Sequence, residues 1–161
     1  MDAAQRQKIE ELYLEMFEKM MAYARSSLDS DAIAEEAVQE TFRIACQKPE
    51  QLYQSVNPQG WLVQTLKYTI CNIKSSQATA KRIVEKYLMT QFKDVSFSED
   101  HLDLEVIYEN VADTEAFKLL VEMAIEGRSH LEMAESRGIS VSACKKRVQR
   151  AKETLQKKIK Y

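Results

Sequence analysis

The side chains of this sequence best suited to chemistry are basic and lie near its end. Residues 128–161 carry ten Lys or Arg against three Asp or Glu. Within them, Arg137-Gly138-Ile139-Ser140 reads as a tight turn, since glycine takes a positive φ at no steric cost. The helix expected after Ser140 gathers Val141, Cys144, Val148, Ala151, Leu155 and Ile159 on one stripe at about 100° per residue. Lys146 and Arg150 then point away from that stripe, with Ser142, Ala143, Arg147 and Gln149 beside them and Lys145 and Lys152 at its flanks. A helix, a short glycine turn and a basic amphipathic helix are the parts of a helix-turn-helix. Small residues at the start (Ser140, Ser142, Ala143) let such a helix approach base edges in a major groove. Lys145, Lys146, Arg147 and Arg150 then reach bases or phosphates. A solvated basic face has the same composition, and the preceding turn is what favours DNA.

The rest of the charge is distributed unevenly. The 161 residues have a net charge of −2 and a pI near 5.8, with 45% hydrophobic and 30% charged residues. Residues 1–66 are net −5, 67–86 net +4, 87–127 net −8 and 128–161 net +7. A near-neutral total thus hides two basic blocks separated by an acidic one, which suggests nucleic-acid contact at two places. Composition alone leaves solvated helix faces open as the alternative.

These residues need helices to position them, and helices are what the sequence favours. It holds three Gly and two Pro, too few for hairpins, barrels or phosphate loops. Ile9, Leu12, Tyr13, Met16, Phe17, Met20, Tyr23, Ala24 and Leu28 predict a first long helix. Asp29-Ser30-Asp31 breaks it and caps a second, which buries Ile33, Ala37, Val38, Thr41, Phe42 and Ala45 and stops before Pro49. Residues 49–57 are expected to be a short connection. Asn57 and Pro58 then start a third helix that buries Trp61, Leu62, Thr65, Leu66, Thr69, Ile70 and Ile73 and continues through Ile83, Val84, Tyr87 and Leu88. From Asp94 to Glu115 there are eight acidic residues and no Lys or Arg, the pattern of an acidic linker. Helices are then predicted over 114–126, ending at Gly127, and over 129–136, where Ser129 and Glu132 form a capping box. The expected architecture is all-α: two small helical domains, residues 1–92 and 113–161, joined by an acidic linker, residues 93–112, with the helix-turn-helix in the second domain.

Several function classes are disfavoured. Cys46, Cys71 and Cys144 are odd in number and widely spaced, and His101 and His130 bring no ligand spacing, so neither disulfides nor a metal is expected. Each cysteine sits among apolar residues at helical spacing and is expected to be a small core residue. No Ser/His/Asp arrangement, GxGxxG, Walker loop or HExxH is present. An enzyme, a cofactor and a small-molecule ligand are therefore not expected. The start, MDAAQRQKIEE, is polar, and no apolar run approaches the roughly 20 residues of a membrane span, which predicts a cytoplasmic protein without membrane insertion.

In order along the chain, three strings resemble one family. AEEAVQETFRIA (34–45), NPQGWLVQTLKYTICNIKS (57–75) and EGRSHLEMAESRGISVSACKKRVQRAKETL (126–155) are similar to segments of the extracytoplasmic-function (group 4) sigma factors of bacterial RNA polymerase. The resemblance implies a non-enzymatic subunit that binds core polymerase and directs promoter-specific initiation. The N-terminal domain would bind polymerase and read and melt the minus-ten element, and the C-terminal domain would read the minus-thirty-five duplex. Glu36, Gln39 and Glu40 match the family positions that grip the clamp helices of the largest polymerase subunit, and their i, i+3, i+4 spacing sets them on one exposed face. Residues 49–57 match the segment that captures a flipped base of the non-template strand. There Tyr53 would stack while Gln54, Ser55 and Asn57 hydrogen-bond. Trp61 matches a family tryptophan whose first role is packing and whose second is a wedge at the upstream edge of the melted DNA, and Gln64, Lys67 and Tyr68 extend toward DNA. The resemblance also makes an anti-sigma factor a candidate partner.

The chain departs from the family pattern in places. Tyr68 stands where Asn is common, Asn72 where Asp is common, Ser142-Ala143-Cys144 where Gly-Thr-Val is frequent, and Lys146 where Ser is frequent, so no promoter sequence carries over. The alternative is a stand-alone helix-turn-helix regulator, or a sigma-like adaptor without initiation activity. A plain regulator has no use for 34–45 or for the melting helix.

Overall fold

The computed structural model describes residues 1–91 and 114–159, and the acidic stretch expected as a linker, 93–112, lies outside them. Among the described residues there are seven helices and no strand: α1 (Ala3–Ser27), α2 (Asp31–Gln47), α3 (Pro49–Tyr53), α4 (Pro58–Gln91), α5 (Thr114–Ala124), α6 (His130–Arg137) and α7 (Val141–Ile159). The all-α reading stands. No helix among the described residues is long and apolar enough to cross a membrane. The chain divides into two compact units, Met1–Ser75 and Ser76–Tyr161.

In the first unit, caps set where the helices begin. Asp2 starts α1 through a capping box, its Oδ1 accepting from the Gln5 N–H (2.8 Å) while its own N–H donates to Gln5 Oε1 (3.0 Å). Ser30 Oγ accepts from the Ile33 N–H at the start of α2. α1 packs on α2 and α3. Ile9, Leu12, Met16, Met20, Met21 and Ala24 of α1 share a core with Ala34, Ala37, Val38, Phe42 and Ala45 of α2, Leu52 of α3 and Leu62, Leu66 and Ile70 of α4. Burying each large apolar side chain is worth roughly 1.5–3 kcal/mol. Thr41, fully buried, satisfies its hydroxyl by donating to the Ala37 carbonyl (2.9 Å).

Two expectations are corrected here. Residues 49–57 are not wholly a connection. Pro49 does end α2, but it then occupies the first turn of α3, whose Leu52 is 1% exposed and anchors that turn in the core. Cys46 and Cys71 are exposed, not core residues. Each follows a buried neighbour, Ala45 or Ile70, and one step of about 100° carries it off the apolar stripe.

The second unit shifts the expected domain boundary. The sequence pattern places 76–91 in the N-terminal domain, but Ala80, Ile83, Val84 and Tyr87 belong to the core that also holds Phe117, Leu120, Met123, Met133, Cys144, Val148, Ala151 and Leu155. The physical reason is their i, i+3, i+4, i+7 spacing, an apolar stripe that α5 and α7 can cover. Tyr87 and Phe117 meet with ring centroids 5.9 Å apart. Residues of α4 thus contribute to both cores, Leu62, Leu66 and Ile70 to the first and Ala80, Ile83, Val84 and Tyr87 to the second.

Candidate functional site

The helix-turn-helix of the second unit is built from local chemistry. Ser129 caps α6, its Oγ accepting from the Glu132 N–H (3.1 Å) while Glu132 Oε2 accepts from the Ser129 N–H (2.8 Å). α6 ends at Gly138, whose φ of +64° is the left-handed conformation that a side chain would strain. Ser140 Oγ then accepts from the Ala143 N–H (3.1 Å) and caps α7. Cys144, Val148, Ala151 and Leu155 bury one stripe of α7.

The opposite side of α7 is open. Ser142, Lys146, Arg147 and Arg150 are exposed, Ser140 is exposed with its hydroxyl engaged as the cap, and Ala143 and Lys145 are half-buried. Gln149 is exposed as well and donates to Glu153 Oε1 (3.2 Å). Lys152 turns away from this face: half-buried, its Nζ donates to Ser76 Oγ (2.7 Å), and burial pushes its pKa below the usual lysine value.

Two of the basic residues in the last block are also internal. Glu122 on α5 receives a fork from Arg137, the last residue of α6, with Nη2 to Oε1 at 2.8 Å and Nη1 to Oε2 at 3.0 Å. Arg128 donates to the same Oε2 (2.8 Å) and, through Nη2, to the Glu132 carbonyl (3.2 Å). Arg137 Nε reaches Glu115 Oε1 (3.0 Å). The hydrogen bonds from Arg137, opposed by burial and aided by Arg128, hold the Glu122 carboxyl below the usual carboxylate range. Sequence reasoning missed this clasp, because residues 122, 128 and 137 come together only through the tertiary fold.

The candidate minus-ten residues lie in the first unit, from the end of α3 into α4. Tyr53, Gln54 and Asn57 are exposed and Ser55 is half-buried, its Oγ accepting from the Asn57 N–H (3.2 Å). Asn57 Oδ1 accepts from the Gly60 N–H (3.0 Å), capping α4. A Cβ at Gly60 would lie 2.6 Å from Asn57 Nδ2, so a side chain there would push the Asn57 amide aside. Trp61 is half-buried against the first core, while Gln64, Lys67 and Tyr68 are exposed on one face of α4. Gln59 of α4 donates to Glu15 of α1, outside the candidate set. Sequence reasoning passed over two neighbours. Val56, fully exposed between α3 and α4, breaks no periodicity that a helix pattern would reveal. Tyr23 reads as a core residue but is exposed, with Lys67 Nζ 5.9 Å over its ring.

On α2, Glu36, Gln39 and Glu40 stand at i, i+3 and i+4, but the face is not uniformly exposed. Gln39 is exposed and donates to Glu35 Oε1 (3.1 Å), while Glu36 and Glu40 are half-buried. Glu40 holds a fork from Arg43, with Nε and Nη2 each at 2.7 Å, and this hydrogen bonding raises the Arg43 pKa. The sequence pattern missed that pairing.

Residues 115–155, roughly a quarter of the chain, match the family model described as sigma-70, region 4. No curated protein and no solved structure matches the chain. The matched stretch contains α6, the Gly138 turn and the basic face of α7. It is this helix-turn-helix stretch that is similar to sigma-70 region 4.

Proposed function

We propose that this chain is an alternative sigma factor of the extracytoplasmic-function group, a non-enzymatic cytoplasmic subunit that binds core RNA polymerase and directs it to promoters. One observation carries the reading: Lys146, Arg147 and Arg150 stand exposed on the second helix of a helix-turn-helix inside the segment matched as sigma-70 region 4. Region 4 works with RNA polymerase and promoter DNA. In the proposed action α7 enters the major groove of the minus-thirty-five duplex, where arginine and lysine donate to guanine edges or phosphates.

The first unit supplies the remaining contacts in this reading. Glu36, Gln39 and Glu40 bind polymerase, for which DNA is an unsuitable alternative because its phosphates repel carboxylates. Tyr53, Gln54, Ser55 and Asn57 take an unstacked base, with Gln64, Lys67 and Tyr68 along the strand and Trp61 packed beneath them. An anti-sigma factor is the partner that would hold such a subunit inactive. Run-off transcription with purified core polymerase and a promoter library tests the proposal: specific transcripts that require the chain support it.

The match is confined to 115–155, and this favours a second reading, a helix-turn-helix regulator or sigma-like adaptor that cannot start transcription. In that case the chain binds duplex DNA but yields no transcripts with core enzyme.

A further inference from the structure

We infer that Arg137 and Glu122 are positioning residues for the DNA-reading helix, setting the angle at which α7 presents Lys146, Arg147 and Arg150. The inference rests on the reading that the second unit binds duplex DNA. Arg137 ends α6, and only Gly138 and Ile139 separate it from Ser140, the cap of α7. Whatever fixes the end of α6 therefore fixes where α7 begins. Apolar packing alone gives α6 a slender hold, since only Met133 and Ala134 of its eight residues are buried.

The clasp supplies what packing does not. The side chains of Arg137 and Glu122 are 14% and 17% exposed, so solvent screens their pairing weakly. The fork is bidentate, a geometry that fixes orientation as well as distance. Both Glu122 oxygens are occupied, and Arg128 on the same carboxylate ties down the segment just before Ser129. Two points thus converge on one carboxylate of α5: Arg128 before the start of the motif and Arg137 at its last residue before the turn. Glu115, 62% exposed, adds only a screened contact.

Neither residue needs to touch DNA, and this makes the role separable from a phosphate contact. Non-specific binding depends on the number of cationic side chains, whereas sequence preference depends on their alignment with base edges. Arg137→Lys keeps the charge and removes the fork, and Glu122→Gln removes the charge that holds it. The experiment selects a duplex from a randomised library with the native full-length chain. The affinities of both variants for that duplex and for a scrambled duplex are then measured, with circular dichroism on each sample. The expected result for folded variants is a loss of roughly ten- to hundred-fold on the selected duplex, the weight of one misaligned base contact, with scrambled-duplex affinity within about twofold of native. Equal losses on both duplexes would make Arg137 a phosphate contact and overturn the inference. Unchanged affinity for the selected duplex would reduce the clasp to a stability element and overturn it too. A native chain that enriches no duplex would remove the DNA reading itself, and with it this role.

Discussion

The two units present polar side chains on helices by different physical means. In Met1–Ser75 two helices are long, 25 residues in α1 and 17 in α2, and an apolar core rich in methionine orients them. Its ion pairs are more exposed: Arg25 and Asp31, 3.5 Å apart, have side chains 52% and 84% exposed, and Arg43 on Glu40 is 52% exposed. In Ser76–Tyr161 the element that leads into α7 has eight residues, below the roughly 12–15 under which an isolated helix is marginal. There an ion-pair clasp lies inside the unit, beside the apolar core. A long amphipathic helix sets its surface residues largely by phase, whereas α6, with only Met133 and Ala134 buried, is held by directional bonds as well.

Core deletions test that contrast most severely. Leu66 and Leu120 are both fully buried, one in each core. Leu66→Ala and Leu120→Ala should each cost about 2–5 kcal/mol in urea unfolding. Duplex binding should fall with Leu120→Ala and survive Leu66→Ala. Equal losses of duplex binding would break the division between the units.

The next effect is on polymerase. Glu36→Lys with Glu40→Lys should weaken co-purification with core enzyme at least a hundred-fold, about 2.7 kcal/mol, with helicity retained by circular dichroism. Arg43→Ala, which frees Glu40 from its fork, should leave polymerase binding near native. A folded double variant that still binds would take polymerase away from this face of α2.

The clasp predicts a pH signature confined to the second unit. Glu122 has a folded pKa below its ordinary value of about 4.5, so its contribution is fully present above that pH and is lost as pH falls through the folded pKa. Against native protein, Glu122→Gln should be less stable by roughly 1.5–3 kcal/mol near neutrality, the usual weight of hydrogen bonds to a charged group. Urea unfolding at stepwise lower pH should show the gap between the two proteins closing below about pH 4.5. A gap that stays constant to pH 3 would assign the stabilisation to packing.

On the open face of α7, Lys146→Ala and Arg150→Ala should each cost about 1–3 kcal/mol of duplex affinity if they read bases. A phosphate contact would instead lower affinity for every sequence and flatten the salt slope. Titrations at several salt concentrations separate the two cases. Lys152→Ala should weaken binding less than either, because its ammonium is committed to Ser76.

What could be read in the sequence follows the same contrast. The α2 stripe, the Ser30, Ser129 and Ser140 caps and the Gly138 turn were legible, because each is specified by residues within a few positions of one another. The open face of α7 followed from helical phase. The Glu122 clasp, the Arg43 fork on Glu40 and the Lys152–Ser76 bond were not legible, since long flexible side chains choose partners by tertiary proximity or rotamer. The boundary within α4 was missed because a stripe of apolar residues states that something covers it, not what.

The smallest expected effect concerns the cysteines, where one residue type serves both kinds of position. Cys144 is fully buried on the inner stripe of α7, while Cys46 and Cys71 are exposed. Cys46→Ser and Cys71→Ser, being exposed changes away from caps and core, should stay within about 0.5 kcal/mol of native stability. Cys144→Ala removes one buried heavy atom and should cost about 1 kcal/mol through the void it leaves. Thiol labelling under native conditions gives the kinetic counterpart. Cys46 and Cys71 should react promptly, and Cys144 only as fast as the second unit opens, because a reagent needs contact with the sulfur. Glu122→Gln should then accelerate labelling of Cys144 and leave the other two unchanged, since the clasp holds only the unit that contains it. Unchanged labelling of Cys144 in a folded Glu122→Gln variant would mean that the clasp does not keep the second unit closed.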